Sequence, residues 1–176
     1  HPWWPVDNRW FYGDAVFILE PWLWLLLGVS AVANTMSATA RVVIAAALVG
    51  ITSLGAYFRQ IPGVTLISLL VAALVLALLL RRRAPRVRAA TALALSAAFV
   101  VGLFALREVA RGESLATLEP RARARIIDVV LSPQAGNPLC WSVLTVVRDE
   151  PGASYAMTRG DVSVLSAAGC GRTRAR

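Results

Sequence analysis

The residues best equipped for chemistry lie in the first 14 positions of the chain. This segment holds the only histidine, two carboxylates and an arginine: His1, Asp7, Asp14 and Arg9. Histidine and aspartate are metal ligands and acid–base groups, and arginine pairs with carboxylates or phosphates. Their spacing matches no compact metal-binding motif, and a single histidine cannot supply a histidine-rich site. Composition identifies candidates here without defining a complete site.

The same segment is rich in aromatic side chains, with three Trp, one Phe and one Tyr. Trp and Tyr concentrate at the membrane–water interface. Residues 1–14 could therefore be an interfacial belt with a few solvated polar groups, or the polar lip of a membrane cavity. The sequence leaves both interpretations open.

Glu20 is a further candidate because it lies inside an apolar stretch, directly before Pro21. An ionisable side chain in such a stretch is costly unless it is paired or faces a polar cavity. Proline fits the first turn of a helix, so a helix could instead begin at Pro21 with Glu20 as its cap. Arg9 is a candidate ion partner for Glu20 or Asp14.

The composition predicts an integral membrane protein. Of the 176 residues 57% are hydrophobic and 16% are charged, which excludes disordered and collagen-like chains. Four apolar stretches have about the length of a membrane span: residues 15–33, 42–58, 64–80 and 89–106. The alternative is a soluble helical protein, but too little chain remains to cover four helices that are apolar on every side.

The arginines predict the orientation of these helices. The net charge is +8, and all 18 basic residues are arginine. In a membrane protein we interpret this charge as a topology signal, and no nucleic-acid partner is expected. Five arginines and no acid lie in the loop 81–88, which the positive-inside rule places in the cytoplasm. Residues 1–14 and the chain after Leu106 are then outside, although five arginines in residues 107–125 argue against this.

Beyond the fourth stretch the pattern becomes strand-like. Four segments alternate with turn formers: residues 126–131, 141–148, 154–159 and 161–165. The expected fold is an α-helical integral membrane protein with about four transmembrane helices and a small C-terminal antiparallel β unit. Its parts are an interfacial segment 1–14, a transmembrane region 15–106, a linker and helix extension 107–125, a β domain 126–170 and a disordered tail 171–176.

The two cysteines, Cys140 and Cys170, could form a disulfide in this β domain. Closing a loop of about 30 residues would contribute on the order of 3–4 kcal/mol. The bond would need an oxidising, extracytoplasmic compartment, which agrees with the orientation derived from the arginines. The alternative is two unpaired small residues.

The first 21 residues resemble the bacterial membrane-bound metal-dependent hydrolase family, the YdjM-like inner-membrane proteins. Residues 4–9 (WPVDNR) are similar to the family's turn WPF/V-(S/D)-(D/N)-R, and Glu20-Pro21 is similar to its (D/E)-P element. Residues 137–141 (NPLCW) also resemble the soluble end of one proteobacterial branch. Family members carry histidine-bearing helices before this turn, so the resemblance implies that most metal ligands precede residue 1 and that this chain is N-terminally truncated.

The resemblance implies a hydrolase at the outer face of the inner membrane, with a periplasmic C-terminal domain. A divalent metal, with Zn²⁺ as the candidate, would activate water against a lipid-linked or phosphate-ester substrate. By this resemblance His1 and Asp14 are metal ligands, and Asp7, Asp14 and Arg9 are catalytic. The alternative hypothesis is non-enzymatic: a membrane anchor that presents an extracytoplasmic β domain for envelope interactions.

Overall fold

The computed structural model describes residues 20–57, 61–116, 126–148, 155–165 and 170. In these ranges the chain forms four helices and then three strands: α1 (Pro21–Asn34), α2 (Ala38–Tyr57), α3 (Gly63–Leu80), α4 (Pro85–Ala116), β1 (Ile126–Gln134), β2 (Asn137–Arg148) and β3 (Tyr155–Ser163). The chain divides into two compact units. Described residues up to Phe104, with residues 134–138, form the helical unit, and the remaining described residues form the sheet unit.

Helix α1 is shorter than the predicted span. It has 14 residues and begins at Pro21, with Glu20 in extended conformation at the N-cap position. Proline suits this position because the first N–H groups of a helix have no intrahelical acceptor. At about 1.5 Å per residue, α1 is too short to cross a hydrocarbon core of about 30 Å. The structure thus confirms the alternative in which the helix begins at Pro21, and among the described residues three of the four predicted spans are long and apolar enough to cross a membrane.

The other three helices are long and apolar enough to cross a membrane. Helix α2 has no buried residue. Helix α3 buries only a stripe along one face: Thr65, Leu69, Leu76 and Leu80. Helix α4 runs to Ala116, which confirms that the helix continues beyond the apolar stretch. Most large apolar side chains of α2 and α3 are exposed among the described residues.

The short helix α1 packs against both α2 and α3. Gly28 permits the close approach to α2, because a Cβ atom at this position would lie 2.5 Å from Cδ1 of Leu48. A larger side chain at Gly28 would force Leu48 or the whole helix to move. Helix α1 therefore lies where the apolar stripe of α3 and the side chains of α2 can both contact it.

The carboxyl end of α1 is tied to the loop between α3 and α4. The guanidinium group of Arg88 donates hydrogen bonds to the carbonyl oxygens of Ala33 at 2.6 Å and Arg83 at 2.9 Å. The side chain of Asn34 also reaches the carbonyl oxygen of Pro85 at 3.4 Å. Helices α1 to α4 consequently alternate in direction, and residues 34–41 lie at the same end of the helical unit as the loop 81–88.

The sheet has the order β1-β2-β3. Strands β2 and β3 are antiparallel, with a register from Cys140 opposite Ser163 to Arg148 opposite Tyr155. The prediction of two separate strands on either side of Gly160 is wrong, because β3 is continuous and Gly160 lies opposite Val143. Strand β2 also begins earlier than predicted, at Asn137.

The core of the sheet unit alternates along the strands, as expected when one face is covered. On β2 the buried residues Trp141, Val143 and Thr145 share a face, and on β1 Val129 and Leu131 do the same. Cys140 is also fully buried, although it belongs to the opposite face of β2. Its burial coincides with its bond to Cys170, so the cross-link covers a position that the alternation alone would leave open.

Candidate functional site around Glu20

Only some of the predicted site residues lie within the described ranges. His1, Asp7, Arg9 and Asp14 lie outside the described residues. Glu20 is described and belongs to the helical unit, and Cys140 and Cys170 are described and belong to the sheet unit. Within the described ranges, Glu20 is therefore the residue from which a chemical site can be built.

Glu20 is buried at the amino end of α1, with 3% of the residue exposed. Its side chain makes no capping hydrogen bond to the first turn of the helix. Its oxygen Oε1 is buried, and no hydrogen-bond partner for it lies in the described part of the chain. Buried polar atoms in folded proteins are nearly always paired, and an unpaired one costs about 1–3 kcal/mol or more. This unpaired oxygen therefore distinguishes Glu20 from an ordinary helix cap.

The turn between β1 and β2 forms one wall beside Glu20. The indole N–H of Trp22 donates a hydrogen bond of 3.1 Å to the carbonyl oxygen of Gly136. Gly136 has a φ of +70°, which glycine adopts readily. A Cβ atom here would lie 2.9 Å from Cγ2 of Thr65 and 3.4 Å from Cγ of Pro21. Both the backbone conformation and the close approach to α1 and α3 require glycine at this position.

Burial raises the pKa of Glu20 from 4.5 to about 7, because removing water disfavours the charged carboxylate. The backbone N–H groups of Trp22 and Gly136 lie near the carboxyl and lower the pKa in part, although the N–H of Trp22 does not reach hydrogen-bonding geometry with it. Glu20 precedes α1 and lies outside the three helices long enough to cross a membrane. A carboxyl group that titrates near neutral pH can donate or accept a proton under physiological conditions.

The described residues do not form a metal site. No cluster of three or more His, Cys, Asp or Glu side chains occurs among them. A catalytic zinc ion normally takes three protein ligands, and Glu20 is a single carboxylate. His1 and Asp14, the predicted metal ligands, lie outside the described residues, and Glu20 is a single buried carboxyl group.

The sheet unit contains a disulfide between Cys140 and Cys170, as the sequence suggested. The bond spans 30 positions and encloses all of β3. Cross-linking a loop of this length restricts the unfolded chain and so stabilises the folded sheet. The two cysteines are thus structural, and neither is available as a nucleophile or a metal ligand.

Sequence reasoning missed Trp22, Gly136 and Arg88. The run of turn formers around Gly136 correctly indicated a turn, but nothing local indicated that this turn contacts α1. Trp22 resembled one more apolar residue of a span, and Arg88 resembled one more charge of the loop. Each acts through a partner at least 50 positions away.

The described residues thus contain three helices long and apolar enough to cross a membrane, a buried carboxyl group beside a shorter helix, and a disulfide-linked three-stranded sheet. Comparison of the chain with family models, with curated proteins and with solved structures finds no match.

Proposed function

We propose that the chain is part of a multi-pass membrane protein in which α2, α3 and α4 cross the bilayer. The exposed apolar side chains of α2 and α3 support this placement, since water would not tolerate so many of them. The arginine loop precedes α4 and the disulfide follows it. A cytoplasmic loop and an oxidising compartment for the disulfide fit a helix that crosses the membrane between them. The sheet would then be periplasmic in a bacterial inner membrane.

The proposed activity is metal-dependent hydrolysis of a lipid-linked or phosphate-ester substrate at the outer face. His1 and Asp14 would hold the metal, with Zn²⁺ as the candidate, and Asp7 and Arg9 would take part in catalysis. The observation that carries this proposal is the buried carboxyl group of Glu20, whose oxygen Oε1 has no partner in the described chain. With a pKa near 7, Glu20 can take a proton from an attacking water or return it to a leaving oxygen.

The test is metal analysis and hydrolysis by the protein expressed from its natural gene and purified in detergent. We expect about one zinc ion per chain in the wild type, as a catalytic zinc site holds one ion. His1→Ala and Asp14→Ala should lose the metal. Glu20→Gln should keep the metal and lower kcat for bis-(p-nitrophenyl) phosphate about 100-fold or more, as expected for a general acid or base.

Glu108→Gln is the matched control, because Glu108 is an exposed glutamate that pairs only with its neighbour Arg107 in the described chain. It should change neither the metal content nor kcat. Purified protein without metal and without hydrolytic activity would overturn the enzymatic proposal.

The membrane-anchor hypothesis stays as the second candidate because of strand β3. This strand lies at an edge of the sheet, and its residues Tyr155 and Met157 are 60% and 70% exposed. Exposed apolar side chains on an edge strand are typical of a protein-binding surface. An anchor would show no metal and no hydrolysis, and Met157→Glu would weaken its association with envelope proteins without changing its stability.

A further inference from the structure

We propose that the end of α3 binds the phosphate headgroup of an anionic phospholipid through Arg81, Arg82 and Arg83, with Leu78 and Leu79 against its acyl chain. These five residues line one open pocket at the carboxyl end of the helix. The inference rests on the proposed membrane placement of α3 and does not depend on the hydrolase activity.

The arginines of the loop 81–88 divide into two groups with different tasks. Arg88 is occupied, because its guanidinium group donates to the carbonyl oxygens of Ala33, Arg83 and Arg81. The other four arginines of the loop are exposed, and their guanidinium groups make no hydrogen bond or ion pair with the described residues. Three of these four line the pocket and are free to bind a ligand outside the protein: Arg81, Arg82 and Arg83.

Arg88 also fixes the backbone that carries the free arginines. It holds the carbonyl oxygens of Arg81 and Arg83, and the N–H groups of these two residues bond back to Ala77 and Leu80. The backbone that carries the free arginine side chains is therefore an ordered turn. Less conformational entropy is lost when a ligand binds to such a turn than when it binds to a flexible loop.

The leucines identify the ligand as a lipid. Leu78 and Leu79 are 50% and 66% exposed, one turn before the arginines. An apolar surface directly below a cationic rim matches the order of acyl chain and phosphate in a phospholipid. A free phosphate ion would make no apolar contact with the leucines. The loop 81–88 also contains no acidic residue that could compete for the arginines.

Native mass spectrometry of the full chain in neutral detergent tests the proposal, with dioleoyl phosphatidylglycerol and dioleoyl phosphatidylcholine as probes. Each arginine near an anionic surface changes binding about fivefold. With three arginines in the pocket we therefore expect the wild type to retain phosphatidylglycerol about a hundredfold better than phosphatidylcholine. The triple variant R81Q/R82Q/R83Q should lose this preference.

The matched control is R111Q/R148Q/R159Q, which removes the same charge from three exposed arginines elsewhere. It should keep the preference, and an equal loss in the control would overturn the proposal because net charge alone would then explain it. The single variant R82Q, expected to lose about fivefold, replaces the triple variant if that variant does not fold.

Two further arms distinguish the source of the phosphate. L78A/L79A should weaken retention of phosphatidylglycerol, and inorganic phosphate at about tenfold excess over the lipid should not displace it. Displacement by inorganic phosphate, or unchanged binding in L78A/L79A, would overturn the lipid assignment. Labelling of Ala84→Cys in intact cells reports separately on the membrane placement, so a failure of that proposal is recognised independently.

Discussion

The indole N–H of Trp22 and the carbonyl oxygen of Gly136 are joined by a hydrogen bond of 3.1 Å across 114 positions of sequence. The bond ties the turn of the hairpin β1–β2 to the first turn of α1, directly beside the buried Glu20. The environment of Glu20 therefore depends on a segment that is synthesised long after α1. Mutations in the turn should therefore change the environment of the Glu20 carboxyl group.

We expect Gly136→Ala to lower the free energy of unfolding by about 2 kcal/mol or more. A non-glycine residue with positive φ costs about 1–2 kcal/mol, and the contact with Thr65 at 2.9 Å adds to this cost. The measurement is thermal unfolding in detergent. Gly160→Ala is the matched control in the sheet, because nothing lies within 4 Å of its added Cβ. Equal losses in both variants would contradict the role of the turn.

The stability of the protein should fall as the pH rises from about 4.5 to about 7. The unfolded carboxyl of Glu20 titrates near 4.5 and the folded one near 7, so the folded state holds the proton across this range. Above pH 7 the carboxyl of Glu20 is charged in both states, and the free energy of unfolding is about 3 kcal/mol lower than near pH 4.5. Glu20→Gln should therefore be more stable than the wild type at pH 8 and equal to it near pH 4.5.

The readout is the melting temperature across this pH range. Glu108→Gln provides the comparison. Because this carboxyl is exposed, its removal should change the melting temperature only slightly at every pH. A stabilisation by Glu20→Gln that is the same at both ends of the range would show that titration of Glu20 is not its cause.

Arg88→Gln should lower the free energy of unfolding by about 2 kcal/mol, because hydrogen bonds from a charged donor contribute about 1.5–3 kcal/mol each and glutamine can replace only part of them. Arg86→Gln removes an exposed arginine two positions away and should stay within about 0.5 kcal/mol of the wild type. Urea unfolding of both variants measures the difference. Similar values would mean that Arg88 acts only through its charge.

Removing the disulfide should lower the free energy of unfolding of the sheet by about 3–4 kcal/mol, from the entropy of a 30-residue loop. The double variant Cys140→Ser/Cys170→Ser should match the wild type treated with a reducing agent. The reducing agent should leave the variant itself unchanged. Protease sensitivity of β3 is the local readout, and a wild type that does not respond to reduction would contradict the expectation.

The long helices and the disulfide could be predicted from the sequence because both depend on properties that single segments carry. An uninterrupted apolar run as long as residues 64–80 favours a helix through its length and composition alone, and two cysteines near paired strands have few other partners. The strand across Gly160 was not predictable in this way. Pairing with Val143 on β2 overrides the local turn preference of glycine, and that pairing is a property of the sheet.

The candidate site was predictable only in part. The position of Glu20 before Pro21 indicated a cap, but its burial and raised pKa come from its surroundings in the folded chain. The turn at Gly136 is one of these surroundings, and it lies more than 100 positions further along the chain. Residue type identified the carboxyl group, and long-range packing determines what it can do.

The length of α1 has a consequence for how the protein is made. In the proposed membrane placement, a helix of 14 residues that follows a glutamate is a weak signal for insertion into the bilayer by itself. Helix α2 is long enough to insert alone, and Leu48 on α2 meets Gly28 on α1. Helix α1 would therefore find its packing partner only after α2 has been synthesised, and the close contact at Gly28 would help to hold it there.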